Sequence, residues 1–129
     1  MMHLAIDEAR KAEKKGEVPI GAIIVRNGKV IAKAHNIREK KQNALYHAEI
    51  IAINKACKKL KSWRLDDCEM YVTLQPCQMC MGAINNARIK TVYFGAMSTT
   101  DLNWETEVVD LKNQECGDIL KKFFAKLRT

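Results

Sequence analysis

No stretch of this sequence approaches the roughly 20 consecutive apolar residues that a membrane-spanning helix requires, so no transmembrane helix and no membrane partner are expected. The first ten residues carry Asp7, Glu8 and Arg10 where a signal peptide would need an apolar run, so no secretory leader is expected. Prolines number two and glycines six, and nowhere do they gather into a linker. Internal repeats and low-complexity tracts are absent too. The cysteines number five, an odd count that with no secretory segment argues for a reduced, cytoplasmic protein. Acidic residues are scarce relative to basic ones, 15 against 22, giving a formal charge of +7. Such a surplus favours an electrostatic footprint for phosphates. What remains fits one compact domain over residues 1–129, because a chain of this length with 47% hydrophobic residues can bury one core and hardly two.

The hydrophobic pattern alternates between helical and strand periods. Met2, Ala5, Ile6, Ala9 and Ala12 mark one face of a first helix, which Gly16 can end. Residues 20–26 and 29–34 are β-branched runs flanking Asn27-Gly28, the pair that most favours a tight type I′ hairpin turn. Ala48, Ile50, Ile51, Ala52, Ile53 and Ala56 predict a buried helix starting near His47. A strand over 69–74, a helix opened by Pro76 at its first position, and a strand over 91–95 follow. Ile119, Leu120, Phe123, Phe124 and Leu127 lie along one side of a last helix over 113–127. This order predicts an α/β protein with a mixed sheet and helices packed on it. The stretch 96–112 is the least readable; Ser98-Thr99-Thr100-Asp101 within it reads as a loop near the carboxyl end of a strand.

Two short segments carry the chemistry. His47-Ala48-Glu49 and Pro76-Cys77-Gln78-Met79-Cys80 offer one imidazole and two thiolates, three protein ligands for a tetrahedral Zn²⁺ whose fourth position stays open to water. Both segments sit at expected helix starts, where positive dipole ends favour thiolate. Glu49 supplies a carboxylate near that water for moving protons. Taken alone, a C-x-x-C pair reads equally well as a redox pair or half of a structural zinc site. A structural site would want a fourth ligand at close spacing, but Cys57, Cys68 and Cys116 stand singly and His3 and His35 have no partner motif. The three lone cysteines read as small apolar fillers and His3 as a surface residue.

The H-x-E and P-C-x-x-C pairing is the signature of the zinc deaminases. The chain more specifically resembles the bacterial tRNA-specific adenosine deaminases. The resemblance rests on Gly16-Glu17-Val18-Pro19-Ile20-Gly21-Ala22, Asn36, His47-Ala48-Glu49, Ser62-Trp63-Arg64-Leu65, Tyr71-Val72-Thr73-Leu74, Pro76-Cys77-Gln78-Met79-Cys80, Ala87-Arg88-Ile89 and Phe123-Phe124 with Leu127-Arg128. It implies a three-layer cytidine-deaminase-like fold with a central mixed sheet of about five strands. It also implies a homodimer and conversion of adenosine to inosine at the wobble position of a tRNA anticodon. Carried over, His47, Cys77 and Cys80 hold zinc and Glu49 is the proton shuttle. Asn36 bonds the flipped base or its sugar, and backbone groups near Ala48 and Pro76 hold the ring edge. The bland alternative for Asn36 is an Asx turn after the hairpin.

Three departures from the family pattern surround the pocket. Asn43-Ala44-Leu45-Tyr46 replaces an Asp-Pro-Thr-Ala type segment, so that Tyr46 brings a ring that narrows the pocket or offers a stacking face. Gln75 stands where the family carries Glu, and Met97 with a shorter connection replaces an acidic residue and a Gly-rich loop. These changes keep open a second reading, a deaminase of a free nucleobase or nucleoside such as cytosine or guanine. A third, a zinc-stabilised RNA-binding module without turnover, has no use for the intact Glu49. Two basic clusters bear on the partner: Lys58, Lys59, Lys61 and Arg64, and on the last helix Lys121, Lys122, Lys126 and Arg128. Each alone reads more readily as a solvated face. The family likeness at Phe123, Phe124 and Arg128 makes the terminal helix a candidate contact for the anticodon stem, with Phe124 and Arg128 as RNA-contact residues and one phenylalanine expected in the core.

Overall fold

The structure, a computed structural model, describes residues 1–98 and 106–127. In chain order its elements are α1 (Met2–Lys14), β1 (Gly21–Arg26), β2 (Lys29–His35), α2 (Arg38–Lys41), α3 (Ala48–Leu60), β3 (Cys68–Leu74), α4 (Gln78–Asn86), β4 (Thr91–Ala96), β5 (Glu107–Asp110) and α5 (Gln114–Leu127). The strands form one five-stranded sheet in the order β2-β1-β3-β4-β5. β1 runs antiparallel to β2 and β3, whereas β3, β4 and β5 are mutually parallel. This is the mixed sheet that the sequence predicts.

Side-chain alternation along each strand assigns the two faces. Ala22 and Ile24 of β1, Met70 and Val72 of β3, and Val92 and Phe94 of β4 share one core with Ala48, Ala52 and Ala56 of α3 and Met81 and Ile84 of α4. On the opposite face, Met2, Ala5 and Ile6 of α1 meet Cys116 and Ile119 of α5, with Tyr71 and Ala96 of the sheet packed against them. The result is three layers, with α3 and α4 on one side of the sheet and α1 and α5 on the other.

The turn between β1 and β2 has the predicted form. Asn27 and Gly28 both take positive φ, 50° and 77°, and Arg26 pairs directly with Lys29. A two-residue loop with both centres left-handed matches the right-handed twist of the strands it joins. At the other end of β1, Gly21 is required by packing: a Cβ there would lie 2.0 Å from the carbonyl oxygen of Ala5 and 2.6 Å from the amide nitrogen of Ala9. The absence of a side chain lets α1 lie directly on the strand.

Several expectations are corrected. α3 is buried along its alanine stripe and at Glu49, whereas Ile50, Ile51 and Ile53 are half-buried. Three alanines at i, i+4 and i+8 bring the helix close to the sheet and leave the bulkier residues on its flanks. Pro76 precedes α4 instead of opening it, because Cys77 takes extended backbone as the N-cap. Neither α2 nor β5 is anticipated by the sequence pattern. β5 is a four-residue edge strand with two exposed positions, and its pairing with β4 supplies what its own pattern lacks. Most of the 98–101 loop falls outside the described residues.

Because the atoms that crowd a Cβ at position 21 are backbone, they cannot rotate away. Gly21→Ala is expected to lower unfolding free energy by about 1–3 kcal/mol or more, read as a lower midpoint in urea with an unchanged m-value.

Candidate metal centre and its surroundings

The sheet end formed by the carboxyl ends of β2, β3 and β4 receives the starts of α3 and α4. His47 is the N-cap of α3 with φ −77° and ψ 153°, and Cys77 is the N-cap of α4 with φ −72° and ψ 173°. Neither makes a side-chain capping bond to its own helix, so both side chains serve the space between the helices. His47 Nδ1 lies 3.8 Å from Cys77 Sγ and 3.6 Å from Cys80 Sγ, and the three ligand atoms all fall within 4.8 Å of one another. Ligands held about 2.0–2.3 Å from one tetrahedral ion lie roughly 3.5–3.8 Å apart, so the spacing suits a metal with N and S donors. Among the described residues this is the only such cluster of three His, Cys, Asp or Glu.

The electrostatics of the cluster follow from burial. Desolvation and then the Arg38 charge lower the pKa of His47, which favours the neutral imidazole that can ligate. Burial, then the neighbouring Glu49 and Cys77, push the Cys80 thiol up. Glu49, in the first turn of α3, is itself buried, and desolvation raises its carboxyl to about 7 against opposing hydrogen bonds from backbone and Cys80. Its Oε1 and the Oδ1 of Asn36 are the two buried side-chain polar atoms without a hydrogen-bond partner among the described residues. Buried polar atoms are rarely left unsatisfied, so each of these two is an acceptor open to a ligand. Asn36 follows β2 and is tied by its amide N–H to the Ile20 carbonyl at 3.1 Å.

The sequence matches the MafB19-like deaminase family over residues 1–128. The chain belongs to this family. It is 52% identical to the tRNA-specific adenosine deaminase of Rickettsia bellii, over 98% of this chain and 99% of that one. It is 46% identical to the tRNA-specific adenosine deaminase of Bacillus subtilis, over 98% of this chain and 88% of that one. These two alignments span 144 and 142 positions, more than the 129 residues of this chain, so both relatives carry residues that it lacks. A solved structure from a study of A-to-I editing by tRNA:A34 deaminases at the wobble position of transfer RNA superposes with a TM-score of 0.86 at 37% identity, covering 92% of this chain and 97% of that one. The cytidine-deaminase-like fold implied by the sequence is thus the fold observed.

Around the candidate metal centre of this deaminase, Ala48 and Pro76 are buried at the two helix starts and Tyr46 is half-buried beside His47. Gln75 Oε1 accepts hydrogen bonds from the Ser98 amide at 3.1 Å and the Ser98 hydroxyl at 3.2 Å. It thereby joins the segment entering Cys77 to the exit of β4. Phe124 is 41% exposed and Phe123 half-buried, packed edge-to-face at 5.3 Å, so neither is the core residue that the sequence suggests. Arg128 lies outside the described residues. His3 is exposed, Cys68 and Cys116 are buried fillers, and Cys57 is half-buried.

Sequence reasoning left Glu8 and His35 without a role. His35, next to Asn36, places Nδ1 3.1 Å from the Glu8 carboxylate, which also accepts from Lys11 at 2.7 Å. A buried acid on an otherwise apolar helix face is the signal that would have flagged Glu8. Its burial acts to raise the pKa, but the bonds from Lys11 and His35 outweigh it and hold the carboxyl below its ordinary 4.5. The stability this group contributes is therefore complete above about pH 4.5 and is lost as pH falls toward the lowered folded value. Denaturation midpoints compared between pH 7 and pH 4 should fall less in Glu8→Gln than in the wild type; an equal fall in both would contradict the assignment.

Proposed function

We propose that the chain is a single cytoplasmic deaminase domain, working as a homodimer, that converts the wobble adenosine of a tRNA anticodon to inosine with release of ammonia. The observation that supports this most is the juxtaposition of three convergent N and S donors with a buried, unpartnered Glu49 Oε1, in a chain whose near-full-length relatives are named for this reaction. His47, Cys77 and Cys80 would hold Zn²⁺, which when bound supplies the Lewis acid that activates water for attack at carbon.

The rest of the reaction falls to this chain's own groups. Glu49 accepts a proton from the attacking water and delivers it to the adjacent ring nitrogen of adenine. It then moves a second proton to the exocyclic amino group, which leaves as ammonia while the ring carbon keeps the oxygen. Asn36 Oδ1, buried and without a partner among the described residues, holds the flipped base or its sugar. Backbone groups at Ala48 and Pro76 hold the ring edge at the helix starts. Tyr46 gives the extruded base a ring to stack on, worth about 1–3 kcal/mol for a base on an aromatic face. Outside the pocket, Phe124 and the lysines of α5, with Arg128 beyond, meet the anticodon stem. The exposure of Phe124 favours this over a core role.

Glu49→Gln keeps the shape of the side chain and removes its ability to carry a proton. It is expected to retain one metal ion per chain and to lose roughly 10²–10⁴-fold in kcat for ammonia release from an anticodon stem-loop. Cys80→Ser should instead lose metal as measured by elemental analysis. Full activity in Glu49→Gln would remove the proton-shuttle assignment.

A further inference from the structure

Glu17 is a buried carboxylate that the reaction does not use, with 1% of its surface exposed. It stands at the end of the tight turn that closes α1, where its own amide donates to the Ala12 carbonyl at 3.0 Å. Both carboxylate oxygens are engaged far along the chain. Oε1 accepts from the amide of Glu39 at 3.0 Å and Oε2 from the amide of Lys40 at 2.7 Å. These amides belong to the first turn of α2, where N–H groups have no intrahelical partner. The N-cap of α2, Ile37, has no side-chain oxygen to offer, so Glu17 does from elsewhere in the chain what a local cap would do.

Hydrogen bonds within the loop that Glu17 holds give it its shape, such as that from the Asn43 amide to the Arg38 carbonyl at 3.1 Å, but little apolar packing fixes it to the rest of the fold. α2 has no buried residue, and Leu45, later in the loop, is 55% exposed. Apolar packing therefore cannot set the position of α2. At its neck the loop closes on itself through the Ile37 amide and the Tyr46 carbonyl, 3.2 Å apart. Asn36 lies on one side of that neck and Tyr46 with His47 on the other.

We infer that Glu17 is a positioning residue for substrate: by clamping the first turn of α2 it fixes the 37–46 loop and with it the pocket wall formed by Asn36 and Tyr46. Glu17 touches neither the metal ligands nor the reacting atoms. The inference rests on the proposed roles of Asn36 and Tyr46 in binding, and goes beyond them by naming what sets their place. Binding should therefore suffer more than chemistry when Glu17 is changed.

The test compares full-length, zinc-loaded wild type with Glu17→Ala and Glu17→Gln by amide hydrogen exchange and by steady-state kinetics. Faster exchange is expected at Glu39 and Lys40, spreading through 36–47, in Glu17→Ala. KM should rise about tenfold with kcat within about threefold and metal content unchanged. Glu17→Gln keeps one acceptor oxygen, so it should fall between, and it carries the test if Glu17→Ala does not fold. Unchanged exchange across 36–47, or loosened exchange with an unchanged KM, would overturn the inference. Kinetics are run on whichever substrate the wild type turns over. A wild type active only on a free nucleoside contradicts the proposed tRNA substrate, and Glu17 is then judged by the KM for that nucleoside.

Discussion

Everything at the site depends on two helices that begin in the same place. α3 and α4 pack on one face of the sheet, and each opens with a residue in extended backbone, His47 in one and Cys77 in the other. Because neither cap spends its side chain on its own helix, an imidazole nitrogen and a thiol sulfur come within 3.8 Å of each other, with Cys80 one turn further in. Two positive helix ends on one spot would be unfavourable without negative partners, and Cys77, Cys80 and Glu49 are the groups there that can carry negative charge. The alanine stripe of α3 belongs to the same constraint, since small side chains bring that helix close enough to the sheet for its N-terminus to reach α4.

The buried carboxylates divide the remaining work. Glu49 has an oxygen with no partner among the described residues, the arrangement of a group kept for something that arrives. Glu8 and Glu17 are fully engaged, one by Lys11 and His35, the other by two backbone amides. Burying a carboxylate is costly unless it is hydrogen-bonded, so full engagement identifies a structural part and a missing partner identifies a working one. Glu8 and Glu17 both act next to the loop that leaves β2, from opposite flanks of Asn36.

What could be read from the sequence was local. The Asn27-Gly28 pair specifies its own turn, the apolar stripe of α1 its own buried face, and the His-x-Glu and Pro-Cys-x-x-Cys spacings a ligand set whose members meet as expected. What could not be read was supplied from a distance. α2 is four residues long, has no local cap, and takes its hydrogen bonds from a side chain 22 positions away. β5 is an edge strand defined by its neighbour β4. The need for Gly21 lies in the backbone of α1, and the role of Gln75 lies in Ser98. Pro76 misled because a fixed φ suits the residue before a helix cap as well as the first helical position. Phe123 and Phe124 misled because an apolar face at the end of a helix need not be covered by its own chain.

The proposal that most needs testing is that zinc held by His47, Cys77 and Cys80 serves a reaction on an adenosine presented by RNA. It is tested most directly by measuring inosine formation and ammonia release with zinc-loaded protein on an anticodon stem-loop carrying a wobble adenosine, beside a panel of free bases and nucleosides. The account predicts inosine in the stem-loop and no turnover of the free compounds. Turnover of a free base or nucleoside with the stem-loop untouched would contradict it, and would mean that residues such as Tyr46 and Gln75 have turned the same site to a small molecule.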